Sequence, residues 1–231
     1  MRALGIVGGI GPESTIVYYR TILDLYRRER PGAGDPRLVI THFDVDRLLA
    51  RVAANELDEL AAELTVEIAR LARAGADFAL LAANTPHVVF DEVQRRSPIP
   101  LLSIVECVRD EASRRGFRRL GLLGTRFAMD GRFYAGPLAG AGIATVPPAA
   151  ADQELVHRLY VTELVPGIVR DASRQTLLAV VSRLHHELGA DAVVLAGTEL
   201  SLILDESVPA EVPLLDSTRI HAAAAVRRLL A

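Results

Sequence analysis

The 231-residue sequence predicts an α/β protein built from two pseudo-symmetric halves. Each half is expected to be a mainly parallel sheet flanked by helices, with an active-site cleft between the halves. Three observations carry this expectation. Asp77-Phe-Ala-Leu-Leu-Ala-Ala-Asn-Thr-Pro-His87 and Asp191-Ala-Val-Val-Leu-Ala-Gly-Thr-Glu199 are apolar runs that break into small polar residues, the pattern of strands buried on both faces of a parallel sheet. The glycine-rich turn Gly8-Gly9-Ile10-Gly11-Pro12 has a counterpart in Leu120-Gly-Leu-Leu-Gly-Thr125. Asn84 follows Gly5 by 79 residues and Thr198 follows Gly121 by 77, and that near-equality suggests an internal duplication. The expected halves are 1–98 with 211–231, and 99–210.

In chain order, Ala3 to Val7 reads as a buried strand. A helix then starts at Pro12, a residue tolerated in a first turn because its missing N–H has no intrahelical partner to lose. Its apolar stripe is expected at Ile16, Tyr19, Leu23 and Tyr26. Residues 31–36 read as a loop, Arg37 to Phe43 as strand two, and Asp44 to Ala74 as helix broken near Asn55. Gly75 is a helix C-cap ahead of the strand ending at Ala83. A helix through Gln94, a strand from Leu101 to Ile104 and a helix closed by Gly116 complete the first pattern. It restarts with strand Leu120–Gly124, a helix over Met129–Ala139, strand Ile143–Val146 and helical stretches over Asp152–Asp171 and Ser173–Leu188. A strand ending at Gly197, a short strand at Leu214-Leu215 and a helix from Ser217 to Leu230 close the chain.

Composition narrows the chemistry. Half the residues are hydrophobic, 24% are charged and the net charge is −3, with arginines interleaved with acids, so no nucleic-acid partner is expected. The chain enters its first strand without a charged leader, and no apolar run reaches membrane-span length. A cytoplasmic protein with no membrane partner is expected. Cys107 is the single cysteine, so no internal disulfide forms. All 26 basic residues are arginine, and without lysine neither a pyridoxal Schiff base nor a lysine aldolase mechanism is available. The six histidines show no HExxH spacing and there is no CxxC, so no metal site is expected. Gly9-Ile-Gly11 is one glycine short of a dinucleotide fingerprint, although Asp44 at the end of strand two could imitate its ribose-binding acid. No GxSxG elbow is present for a serine hydrolase.

Open α/β sheets bind ligands beyond the carboxyl ends of their strands, where helix N-termini present unpaired N–H groups. Asn84 or Thr85, with Pro86 behind, and Thr198 are placed to cap helices there or to hold a substrate carboxylate. Ser14, Thr15 and Thr125 could add hydrogen bonds. The ionisable candidates are His87, Glu199, Glu13, Asp46 and Glu163. His87 stands in a helix first turn, where the helix dipole favours a neutral imidazole. Cys107 reads as a small core residue, and His221 as a packed or hydrogen-bonded one. Arg47 and Arg126 fall near strand ends without a motif that would assign them a distal carboxylate.

Four blocks carry a family resemblance: Leu4-Gly-Ile-Val-Gly-Gly-Ile-Gly-Pro-Glu-Ser-Thr15, Ala83-Asn-Thr-Pro-His87, Gly197-Thr-Glu199 and Asp216-Ser-Thr-Arg-Ile-His221. Together they resemble the aspartate/glutamate racemase family over essentially the whole chain. The resemblance implies two α/β halves, a cofactor-independent enzyme acting on a small amino or carboxylic acid, and a homodimer. It also implies a mechanism in which two cysteines, one from each half, exchange the α-proton. Where the family has Cys-Asn-Thr this chain has Ala83-Asn84-Thr85, and where it has Gly-Cys-Thr-Glu this chain has Ala196-Gly197-Thr198-Glu199. Neither Ala83 nor Gly197 can hold a proton, so the two-thiol mechanism is not expected. Three readings follow: an isomerase or lyase using other chemistry, an inactive homologue that binds or regulates, and a racemase whose cysteines were replaced by design. Glycine at 197 fits drift better than design. Glu163 matches a Glu-Leu pair of the family.

Overall fold

The computed structural model describes residues 2–130, 132–204 and 208–231. The chain divides into two compact units, Met1–Ile104 with His221–Ala231, and Val105–Ile220.

The first unit holds β1 (Ala3–Gly8), α1 (Pro12–Glu29), β2 (Arg37–His42), α2 (Val45–Ala53), α3 (Leu57–Arg73), β3 (Phe78–Leu81), α4 (Phe90–Arg96) and β4 (Leu101–Leu102). Its parallel sheet has the order β2-β1-β3-β4. Asn55, in the left-handed region at φ 57°, separates α2 from α3. The second unit begins with α5 (Ile104–Arg114), whose first residue still belongs to the first unit, and continues with β5 (Arg119–Gly124), α6 (Arg126–Met129) and α7 (Arg132–Ala139). It goes on with β6 (Ala144–Val146), α8 (Ala150–Leu159), α9 (Asp171–His186), β7 (Ala192–Ala196) and β8 (Leu214–Asp216), and its parallel sheet reads β6-β5-β7-β8. The closing helix α10 (Ser217–Leu230) returns to the first unit, where Ala222, Ala225, Val226 and Leu229 pack with Leu4, Ile6, Tyr18 and Phe78.

The repeat expected from spacing is present at atomic detail. The Ala3 N–H donates to Asp77 Oδ2 at 2.7 Å and the Asp77 N–H returns to Ala3 O at 2.8 Å. The Arg118 N–H donates to Asp191 Oδ2 at 2.7 Å and the Asp191 N–H returns to Arg119 O at 2.9 Å. Gly5 and Gly121 occupy the same place in each unit. A Cβ at Gly5 would lie 3.0 Å from Leu71 and 3.1 Å from Ala76, and one at Gly121 would lie 3.0 Å from Val193 and 3.1 Å from Leu184. Helix therefore rests directly on strand backbone in both units.

Five expectations need correction. The halves do not change at 98/99 and 210/211: β4 pairs with β3 and β8 with β7, so the units change at Ile104 and at Ile220. The α1 stripe is Ser14, Tyr18, Ile22 and Tyr26, while Ile16 and Tyr19 are 42% and 45% exposed. Two adjacent tyrosines leave the phase of a helix ambiguous, and Tyr18 turns inward because its hydroxyl meets His221 at 2.8 Å. The strand read to Ile104 stops at Leu102 because Ile104 already begins α5. The helix read over Asp152–Asp171 ends at Leu159, widens into a π-helical turn at Tyr160–Leu164 and leaves helix before α9. The helix read over Met129–Ala139 straddles α6 and α7, and Gly131 between them lies outside the described residues.

Candidate functional site

The polar residues singled out in the sequence gather at the carboxyl ends of β3 and β7, one group in each unit. After β3, Ala82, Ala83 and Asn84 lead into a 3-10 turn over Thr85–Val89. Asn84 has helical torsions (φ −79°, ψ −48°) and makes no capping hydrogen bond. A capping residue needs extended torsions to aim its side chain back at the helix, so the expected cap is absent. Ala83, Asn84, Thr85 and His87 are all buried.

His87 is committed on both sides of its ring. Its Nδ1 lies 3.0 Å from Ala83 O, and the Ile104 N–H donates to its Nε2 at 3.1 Å. A carbonyl only accepts and an amide N–H only donates, so the imidazole is neutral with its proton on Nδ1. Burial, against which the backbone contacts at Ala83 and Asn84 act, lowers its pKa to about 4. The ring stacks on Phe90 at 5.0 Å. The expectation that His87 serves as an acid or base for a ligand is therefore corrected: no ring nitrogen remains for it. His87 clamps the β3 end to the start of α5. His221 is a second neutral imidazole. It accepts from the Tyr18 hydroxyl through Nδ1 and donates through Nε2 to Leu102 O at 3.0 Å. Burial first, then His87 nearby, lowers its pKa to about 3.

Thr15 is likewise engaged, accepting from the Gly9 N–H at 2.9 Å and donating to Gly11 O at 3.2 Å. It fastens a turn in which Gly9 (φ 80°) could carry no side chain, since a Cβ would lie 2.6 Å from Phe43 O. Ser14 is fully buried on the inward face of α1. In the second unit the Thr125 hydroxyl caps α6 at Ala128 N, 3.3 Å away.

The β7 end is built differently. Gly197 is extended (φ −146°, ψ 122°) and precedes a 3-10 turn over Thr198–Leu202 with no side-chain cap. Its missing side chain is replaced from elsewhere: a Cβ there would fall 2.4 Å from Tyr160 Cε2 and 3.1 Å from the Tyr160 hydroxyl. Tyr160 is the first residue of the π-helical turn, a feature frequent at functional sites. Its hydroxyl donates to Glu199 Oε2, which also accepts from the Thr198 hydroxyl at 3.1 Å. Both partners are buried, at 6% and 3% exposure. Burial and the adjacent Glu199 carboxylate hold the Tyr160 phenol well above its ordinary pKa. Near the end of β8, Asp216 Oδ1 accepts from the Ser201 hydroxyl at 2.9 Å and from the N–H groups of Thr218 and Arg219. Burial raises its pKa.

The remaining candidates lie apart from these groups. Glu163 is bound by Arg170 at 2.8 Å and the Ser173 hydroxyl at 2.5 Å. Asp46 and Glu13 are exposed, Arg47 pairs with Glu63, and Arg126 pairs with Glu154. Cys107 is buried in α5. Among the described residues, no group of three or more His, Cys, Asp and Glu could hold a metal ion, and no helix is long and apolar enough to cross a membrane. Sequence reasoning missed Tyr160. The available signal was a glycine at a buried strand end, whose empty side-chain space some other residue must fill.

Two parallel four-stranded sheets of the same order, each with small polar residues after its third strand in sequence, define a duplicated α/β protein of the Asp/Glu racemase fold. The chain belongs to the Asp/Glu/Hydantoin racemase family, whose sequence profile matches residues 7–225. It is 27% identical to the broad specificity amino-acid racemase RacX of Bacillus subtilis (strain 168), covering 99% of this chain and 98% of that protein. Among solved structures it is similar to a candidate Asp/Glu racemase from Yersinia pestis, with 31% identity, full coverage of both chains and a TM-score of 0.90. An aspartate racemase homologue from Pyrococcus horikoshii OT3 aligns over both full chains at 30% identity and a TM-score of 0.86.

Proposed function

We propose that this chain binds a small amino or carboxylic acid and acts on it as a cofactor-independent isomerase or lyase without the two-thiol mechanism of its family. In this reading Ala83 and Gly197 stand where racemases of the family carry their cysteines. Asn84, Thr85 and Thr198 hold the substrate carboxylate, and the protein works as a cytoplasmic homodimer. The observation that carries the reading is the matched pair of strand ends. Each has a small side chain at the terminal position, followed by buried Asn84-Thr85 in one unit and buried Thr198-Glu199 in the other. The relatives named as amino-acid racemases support the ligand class.

A specific observation favours a second reading, in which the protein binds its acid without transforming it. His87, the titratable group next to the β3 end, has both nitrogens occupied. Calorimetric titration with each enantiomer of aspartate and glutamate tests the ligand class. Binding that weakens at least ~10-fold in Asn84→Ala is expected, the cost of one carboxylate hydrogen bond. Affinity unchanged by that substitution would refute the carboxylate assignment.

A further inference from the structure

We propose that Tyr160, backed by Glu199, is the proton-transfer group at the end of β7, its phenol standing in the space where a side chain at position 197 would lie. This rests on the reading above that a small acid binds beside that strand end. The geometry is confined to the second unit. The Cβ direction of Gly197 runs into the Tyr160 ring at 2.4 Å, so a side chain at 197 and this tyrosine conformation exclude one another. The phenol oxygen is also the partner of a buried carboxylate, Glu199. Glu199 Oε2 receives the hydroxyls of both Tyr160 and Thr198. The π-helical turn supplies the displacement: its extra residue per turn re-aims Tyr160 relative to the preceding α8,.

The step balances without a cofactor. The substrate Cα–H bond breaks and its proton passes to the Tyr160 oxygen. The phenolic O–H bond breaks in concert and its proton passes to Glu199 Oε2. The electron pair stays on the substrate as a carboxylate-conjugated carbanion. While the carbanion persists, the protons on Tyr160 and Glu199 exchange with solvent, and reversal then returns a solvent-derived proton along the same path, so the phenol never has to persist as a buried phenolate. Tyr160 is the catalytic residue, and Glu199 acts through it. Because one group serves both directions, the proton leaves and returns on one face, so this strand end by itself gives exchange with retention of configuration, and the isomerisation or elimination of the proposed function departs from the same carbanion.

The test is α-proton exchange in D2O, followed by NMR with L- and D-aspartate and L- and D-glutamate on the full chain, with binding measured in parallel. The wild-type protein is expected to exchange one enantiomer of at least one acid without inverting it. Tyr160→Phe is expected to lower that rate at least ~100-fold, the scale of a lost general acid or base, with affinity within about threefold. Glu199→Gln should match it and abolish the acidic limb of the pH–rate profile, whereas Glu199→Asp should restore part of the rate. Binding without exchange, inversion of configuration, or full exchange in Tyr160→Phe would overturn the relay and leave the ligand class standing. Failure of all four acids to bind would overturn the relay together with the proposed function. The occupancy itself has a separate readout. Gly197→Ala should lower the melting temperature by ~5 °C through overpacking, and should cost little in a Tyr160→Ala background. Equal effects in both backgrounds would overturn it.

Discussion

The β3 end and the β7 end occupy equivalent places in two copies of one α/β unit, and they handle polarity in opposite ways. At the β3 end the ionisable group, His87, is neutral and spends both ring nitrogens on backbone groups, Ala83 O and Ile104 N–H. At the β7 end the hydroxyl of Tyr160 donates to the Glu199 carboxylate, so two ionisable side chains are bonded to each other. The first arrangement stabilises the fold and leaves no ring nitrogen for a ligand. The second keeps a proton between two oxygens in a buried place, where its position responds to a neighbouring charge. A duplicated scaffold thus preserves strand, turn and helix contacts while the side chains after the third strand diverge into a clamp in one copy and a proton-bearing pair in the other.

The comparison can be broken most decisively at the clamp. His87→Ala leaves a buried carbonyl and a buried amide N–H without partners and opens a cavity beside Phe90. The expected loss is about 4 kcal/mol, read as a fall of ~10 °C in calorimetry. A loss below about 1 kcal/mol would show that the two hydrogen bonds carry no net stability. Glu199→Gln keeps the shape of its site and is expected to cost less.

Acid sharpens the same contrast. His87 and His221 titrate at about 4 and about 3 in the fold, both below the unfolded value of about 6.5. The unfolded chain therefore binds more protons at mildly acidic pH. Stability is fully present above pH ~6.5 and falls as the pH drops toward the folded values, by about 1.4 kcal/mol per pH unit for each histidine. Urea midpoints at pH 7.5, 6.5 and 5.5 should decline accordingly in the first unit. A flat profile would mean these imidazoles are not held neutral.

The smallest expected effects lie at the two turns after β1 and β5. Thr15→Val removes an acceptor for the Gly9 N–H, and Thr125→Val removes the cap of α6. Each should cost about 1 kcal/mol. Similar losses at both, with affinity for aspartate and glutamate unchanged, would confirm that these hydroxyls hold the turns. A larger effect on affinity than on melting temperature would return them to the ligand.

Much of this was legible in residue order. The apolar runs ending at 83 and 197, the glycines at 75 and 189 that close α3 and α9, and the spacing from Gly5 to Asn84 and from Gly121 to Thr198 determined the fold class and its duplication. They also located both strand ends, because buried parallel strands, helix caps and repeats leave local signatures. The absence of lysine and of thiols at 83 and 197 followed directly from composition. Only the tertiary structure decided what the candidate residues do. Whether His87 is a base or a clamp depends on Ile104, which comes from the start of the next helix. Whether Gly197 is an empty place depends on Tyr160, 37 positions earlier in the chain. Hydrogen-bond satisfaction and the filling of space are properties of neighbours in three dimensions, and no periodicity along the chain encodes them.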